Sequence, residues 1–179
     1  MDSLSDSELV RRAQGGDSDA FEGLISRHYR TVYRAAYRWC GIKEDAEDIA
    51  QEVFIKVARN MRSFAGKSAF TTWLYRITLN AVRDLGRKNA TQRDTLKAWS
   101  AEPTEGVSNP GHDRAMEAGE LYGAIDTLPP RQKAAALLVW AEGLTHSEAA
   151  HVLECAEKTV SAHLFQAREK LKVLFGERL

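Results

Sequence analysis

Between Phe70 and Lys88 the chain reads FTTWLYRITLNAVRDLGRK, and its chemistry-bearing side chains recur at a helical interval. On a helix, Asn80, Arg83 and Arg87 fall within about 40° of Arg76, and Trp73 lies about 60° from it. Leu74, Ile77, Ala81 and Leu85 fall opposite and make a core stripe. Arginine gives charge-assisted contacts to phosphate. Asparagine reads base edges with two hydrogen bonds, and an aromatic ring stacks on an unpaired base. Phe64, Phe70 and Tyr75 add rings in or near the preceding loop, which also holds Arg62 and Lys67. This combination suits DNA whose strands have come apart. The bland alternative is a set of arginines snorkelling around a buried Trp73.

A second cluster has the opposite sign. Asp45, Asp48 and Glu52 share one helical face, flanked by Glu44 and Gln51, across from an Ala46/Ile49/Val53/Val57 stripe. Such carboxylates repel one another by a few tenths of a kcal/mol per i,i+4 pair, partly offset by the helix dipole. The face would repel nucleic acid and suits a basic protein surface; a merely solvated helix start is the alternative. Exposed carboxylates without a pocket keep ordinary pKa values and make poor general acids or bases.

The third pattern is a helix-turn-helix between Asp126 and Phe175. Pro130 suits the first turn of a helix that runs to Glu142 and ends at Gly143. Thr145-x-x-Glu148 is a capping box opening a short helix, with Ala149, Ala150 and Leu153 inward. After a turn at 154–157, a second helix turns Val160, Leu164, Ala167, Leu171 and Leu174 inward. Lys158, Ala162, Phe165, Gln166 and Glu169 point outward, with Thr159, Ser161, His163 and Arg168 at the flanks. Two short helices about a tight turn match a DNA reader. A purely structural helical pair is the alternative. Residues 116–179 carry seven bases against nine acids, so this unit grips DNA weakly by charge alone.

The elements that must position these residues are helical throughout. Ser7 opens a first helix ending before Gly15-Gly16. Asp19 caps a second that stops at Gly41, and a third starts near Glu44. All four prolines follow residue 102, and residues 94–113 lack a sustained period. The expected fold is all-α, with two small helical domains: an N-terminal bundle at 1–93 and a C-terminal four-helix helix-turn-helix domain at 114–179. A flexible linker at 94–113 joins them.

Among 179 residues, 25 Lys and Arg balance 25 Asp and Glu. The average hides a segregation: 44–52 hold five acids and no base, whereas 53–93 hold nine bases and one acid. Two distant cysteines, Cys40 and Cys155, argue against a structural disulfide and for a reducing compartment. No run reaches the roughly 20 apolar residues of a membrane span. No signal core leads the chain, so a soluble, cytoplasmic protein is expected. GKS at 66–68 lacks the glycine a phosphate loop needs, because Met61 stands there. His151 and Cys155 share a face, but two ligands do not make a metal site. No catalytic constellation, cofactor site or metal site is expected.

Three ordered segments, DAEDIAQEVFIKVARNMRSF, SAFTTWLYRITLNAVRDLGRK and LPPRQKAAALLVWAEGLTHSEAAHVL with KTVSAHLFQAREKL, resemble the extracytoplasmic-function group of bacterial RNA polymerase sigma factors. The resemblance implies that Asp45, Asp48, Gln51, Glu52 and Phe54 engage the coiled-coil clamp of the largest polymerase subunit. It implies that the loop 62–70 captures a flipped minus-ten base, with Arg62, Phe64, Lys67 and Phe70 among its contacts. Trp73, Arg76, Asn80, Arg83 and Arg87 would hold the melted or upstream strand. Lys158, Thr159, Ser161, His163, Phe165, Gln166 and Arg168 would read the minus-thirty-five element. Core RNA polymerase, promoter DNA and an anti-sigma factor are the implied partners, and the implied protein is not an enzyme. Glu154 stands where the family places glycine at the turn, and Ser161-Ala162-His163 replaces a basic triplet, which bears on promoter identity. The alternatives are a sigma-like decoy that binds only an anti-sigma factor and a self-sufficient helix-turn-helix regulator.

Overall fold

The computed structural model describes residues 4–99 and 116–175, with side chains described for 4–89 and 121–174. Eight α-helices and no strand occur among them. Helix α1 (Asp6–Gln14) is capped by Ser5, whose hydroxyl accepts from Glu8 N at 3.2 Å, so Ser7 lies inside the helix rather than at its start. Asp17, not Asp19, caps α2 (Ser18–Cys40), accepting from Ala20 N at 3.0 Å. That backbone bond, with the Arg12 guanidinium, holds the Asp17 carboxyl below the usual range. Gly41 ends α2 at φ 78°, a conformation costly for any residue with a Cβ.

Helix α3 (Lys43–Asn60) runs into a 3₁₀ turn at Met61–Ser63. Helix α4 (Phe70–Trp99) then continues through the boundary expected at residue 93. Of the expected linker, residues 100–113 lie outside the described residues. Leu9, Leu24, Val32, Ile49, Val53, Val57 and Leu74 are buried together, so α1–α4 form the expected bundle around one core.

The C-terminal unit comprises α5 (Met116–Asp126), α6 (Pro130–Ala136), α7 (His146–Leu153) and α8 (Glu157–Phe175). A π-helical turn, Leu137–Ala141, prolongs α6 and is followed by Gly143 at φ 74°. The capping box is present in full: Glu148 N donates to Thr145 Oγ1 at 3.2 Å, and Thr145 N to Glu148 Oε2 at 2.8 Å. Val160, Leu164, Ala167 and Leu171 face inward as expected. Leu174 does not: it is 58% exposed, because α8 has by then run past the helices that cover its earlier turns. Val152 is buried where Leu153 was expected to lead, and Leu153 is only partly covered.

The two units are packed together. One core joins Ala35 and Trp39 of α2 and Tyr75 and Leu79 of α4 to Leu137, Leu138, Ala149 and Val160 of the C-terminal unit. Helix α7 lies against α4.

Candidate nucleic-acid and protein interfaces

The acidic face forms as the wheel predicts. Asp48 and Gln51 are exposed, and Asp45 and Glu52 are half-buried. Burial pushes the Asp45 carboxyl above its ordinary value, and the charges of Asp48 and Glu44 add to the effect. Glu52 accepts from Lys56 at 2.9 Å, and Lys56 also reaches Asp84 of α4 at 3.6 Å. Phe54 is not on the surface with the carboxylates. It is buried, its ring stacked 6.0 Å from that of Tyr29. Exposed on that side of α3 is Ile55, one residue on.

The ladder on α4 also forms: Arg76, Asn80, Arg83 and Arg87 are all exposed. Arg87 pairs with Asp84 one turn back, and Arg76 lies 3.8 Å from Glu154 of the C-terminal unit. Trp73 is different. It is 9% exposed and belongs to the core, because Phe64 and Phe70 close over it at centroid distances of 4.9 and 5.8 Å. The reading of arginines set around a buried tryptophan is the one that describes it. Phe70 is buried too, edge-on to His28 at 5.5 Å. Tyr75 lies in the seam between the units.

The ring cluster still presents an edge. Phe64 and Trp73 line a cavity of about 240 Å³ with Ser63, Lys67, Ser68 and Arg76, a cation-rimmed, ring-walled recess. Arg62 and Lys67 are exposed beside it. Gln14, which sequence reasoning passed over, braces the loop from behind. The Gln14 side-chain amide donates to the carbonyls of Met61 at 3.1 Å and Phe64 at 2.8 Å, tying the loop to the end of α1. The only hint in the sequence is its place just before the Gly15-Gly16 break.

On α8, Lys158, Ser161, Phe165 and Gln166 are exposed, with Phe165 at 68%, and so is Arg168. Thr159 and His163 are half-buried at the flanks. Ser161 and His146 of α7 share a hydrogen bond of 3.0 Å, and Gln166 accepts from Gln132 at 2.8 Å, so two reader side chains are already oriented. Glu154 holds the turn before α8 in a left-handed conformation, φ 53°.

The seam holds a polar cluster that no local pattern reveals. Glu142, its side chain 6% exposed, accepts from Arg38 Nη1 at 2.5 Å and from the Tyr75 hydroxyl at 2.9 Å. Burial and the adjacent Glu142 carboxylate raise the Tyr75 pKa, so the phenol stays protonated and donates. Burial opposes the Arg38 charge, but Glu142 outweighs it and the guanidinium pKa rises. Lys133 adds a bond to the Trp39 carbonyl at 3.0 Å.

With this geometry in hand, comparison with known proteins is specific. Residues 24–92 match the family model for Sigma-70 region 2, and residues 118–171 match that for Sigma-70, region 4. The chain is 34% identical over 184 residues to the ECF RNA polymerase sigma-E factor of Haemophilus influenzae, covering 94% of each chain. It is 34% identical over 178 residues to the RNA polymerase sigma-H factor of Pseudomonas aeruginosa, covering 93% of this chain and 91% of that one. Among solved structures, CnrH in complex with the cytosolic domain of CnrY superposes with a TM-score of 0.73 at 25% identity, over 97% of this chain and 99% of that chain. The sigma factor RpoE of Bartonella quintana, in complex with the anti-sigma factor NepR, shares the fold at a TM-score of 0.71 and 21% identity, over 89% and 98%.

Proposed function

This chain belongs to the ECF group of RNA polymerase sigma factors, and from that premise we propose how its surfaces divide the work. It binds core RNA polymerase and directs promoter-specific initiation. The carboxylates of α3 (Asp45, Asp48 and Glu52, with Gln51) form the polymerase contact, and Phe54 with Tyr29 supports that face from behind. The basic partner is the coiled-coil clamp of the largest subunit.

The observation that carries the DNA reading is the recess walled by Phe64 and Trp73 and rimmed by Lys67 and Arg76. A base leaving the duplex forfeits a few kcal/mol of stacking and pairing. Ring contacts in the recess, with phosphate contacts along Arg62, Arg76, Arg83 and Arg87, offset that loss and hold the bubble open. Asn80 adds a base-edge contact, and Phe70 fixes the Trp73 ring in place. The N-terminal half of α8 enters the major groove of the upstream element, with Lys158, Thr159, Ser161, His163, Phe165, Gln166 and Arg168 as its contacts.

The protein lends specificity to the polymerase and performs no chemistry of its own. It acts in the cytoplasm; no described helix is long and apolar enough to cross a membrane. CnrH was solved in complex with the cytosolic domain of CnrY. From its membership of the family we infer that an anti-sigma factor controls this chain. The division into an N-terminal unit that ends with α4 and a C-terminal unit that begins with α5 serves two contacts that must reach separate promoter elements.

Run-off transcription with core polymerase on a pool of random promoter DNA tests the reading. Wild type should initiate, Asp48→Arg should lose polymerase binding, and Asn80→Ala should bind polymerase but lose open complexes. A wild-type chain that neither binds core enzyme nor initiates overturns it.

A further inference from the structure

We propose that Gln132, buried on α6, is a positioning residue for Gln166 of α8. It fixes which edge of the Gln166 amide meets the major groove, so that Gln166 selects guanine or thymine rather than adenine. This rests on the reading of α8 as the helix that contacts the upstream element, and deepens it to the class of base at one position.

Gln132 is 9% exposed, whereas Gln166 is open to solvent next to Phe165. The Gln132 amide nitrogen donates to Gln166 Oε1 at 2.8 Å. Two amides can pair in either sense, and burial decides between them. Gln132 Oε1 is sealed from water and has no hydrogen-bond partner among the described residues. In the reversed sense the Gln132 carbonyl would accept from Gln166, and the Gln132 amino group would take the sealed position. Two buried donors would then be orphaned in place of one acceptor, and orphaned N–H groups are the less tolerated of the two. The observed sense is therefore the stable one, and the Gln166 carbonyl is committed inward.

What Gln166 keeps for DNA is its amino group, a pure donor. The acid one turn on, Glu169, pairs with Lys172 at 3.0 Å instead of competing for it. In the major groove guanine presents N7 and O6 and thymine presents O4, acceptors only, whereas adenine and cytosine each present an amino donor. An unrestrained glutamine reads adenine through both ends of its amide. One whose carbonyl is already held cannot, and it meets guanine or thymine better. Holding the side chain in place beforehand also lowers the ordering cost of the contact. The bond is not needed to join the helices, because α6 packs along α8 and Ala135, Leu164 and Ala167 share one core.

The test is selection of bound promoters from a randomised pool by the full chain assembled with core polymerase, for wild type, Gln166→Ala and Gln132→Leu. The position where Gln166→Ala flattens base preference is the one Gln166 reads, and wild type should take guanine or thymine there. Gln132→Leu frees the Gln166 amide, so that position alone should turn to adenine. Its preference for adenine over the wild-type base should change about tenfold, the discrimination of one two-bonded contact. The melting temperature of Gln132→Leu should hold or rise, since an orphaned acceptor leaves the core. Adenine or cytosine in wild type, or an unchanged preference in Gln132→Leu, overturns the proposal. So does a loss of preference spread over many positions with a fall in melting temperature, the mark of a structural role. If Gln166→Ala flattens no position while wild type still selects promoters, Gln166 reads no base and the proposal falls with the promoter-directing reading intact. If wild type selects no promoter, that reading falls and takes this one with it.

Discussion

At the scale of single residues, charge placed for a partner works against the chain that carries it. Asp45 is half-buried beside Asp48 and Glu44, and its carboxyl is pushed up by burial first and those charges second. A carboxyl whose folded pKa exceeds its unfolded value binds more protons when folded, so it costs stability once pH rises above that pair of values. Asp45→Asn should therefore raise the melting temperature modestly at pH 7, with the gain vanishing below about pH 4, where Asp is protonated in both states. The same variant should bind core polymerase more weakly. Gln14 works in the other direction, adding no charge and holding a loop. Gln14→Ala should cost about 1 kcal/mol in stability and lower affinity for single-stranded DNA, read by fluorescence anisotropy. The wheel placed the α4 ladder correctly because exposure along one helix follows its period. It left Trp73 undecided, since the rings that bury it come from the loop and the first turn of the helix.

At the scale of elements, the helix-turn-helix is built from strong local signals and one local conflict. Thr145 and Glu148 satisfy each other's backbone donors, and Thr145→Ala should destabilise the protein by about 1 kcal/mol in urea unfolding. Glu154 is the conflict. A left-handed residue with a Cβ costs about 1–2 kcal/mol, and glycine's greater unfolded freedom returns roughly 0.5–1 of it. Glu154→Gly should thus stabilise by several tenths to about 1 kcal/mol, since its pairing with Arg76 is exposed and long and contributes little. Capping residues and breakers made most helix ends legible before the structure. The misassigned caps, Ser7 for Ser5 and Asp19 for Asp17, arose where several capping residues stand within three positions. Leu174 misled for another reason: periodicity says which face a residue occupies, not where the neighbouring helix ends.

At the scale of the whole molecule, zero net charge conceals two opposed surfaces, and salt separates them. On a single strand, each phosphate-pairing cation that is removed flattens the log-log salt dependence by about 0.7. Arg83→Ala should reduce the slope of DNA binding by that amount, whereas the same change leaves binding of core polymerase untouched. Both surfaces were readable from composition, since each lies on one helix. The seam cluster was not. Glu142 meets Arg38 across 104 positions and Tyr75 across 67, and an isolated glutamate before a helix-ending glycine carries no trace of either. Just before it lies the π-helical turn, in which Glu142 N bonds Leu137 O five residues back. Such a turn fits one extra residue while keeping the next residue close to the bearing that four residues of ordinary α-helix would give it. Deleting Val139 should therefore tighten the turn to α geometry, leave Glu142 near both partners, and lower the melting temperature less than Glu142→Ala does. The turn is thus a place where the chain can change length without changing phase.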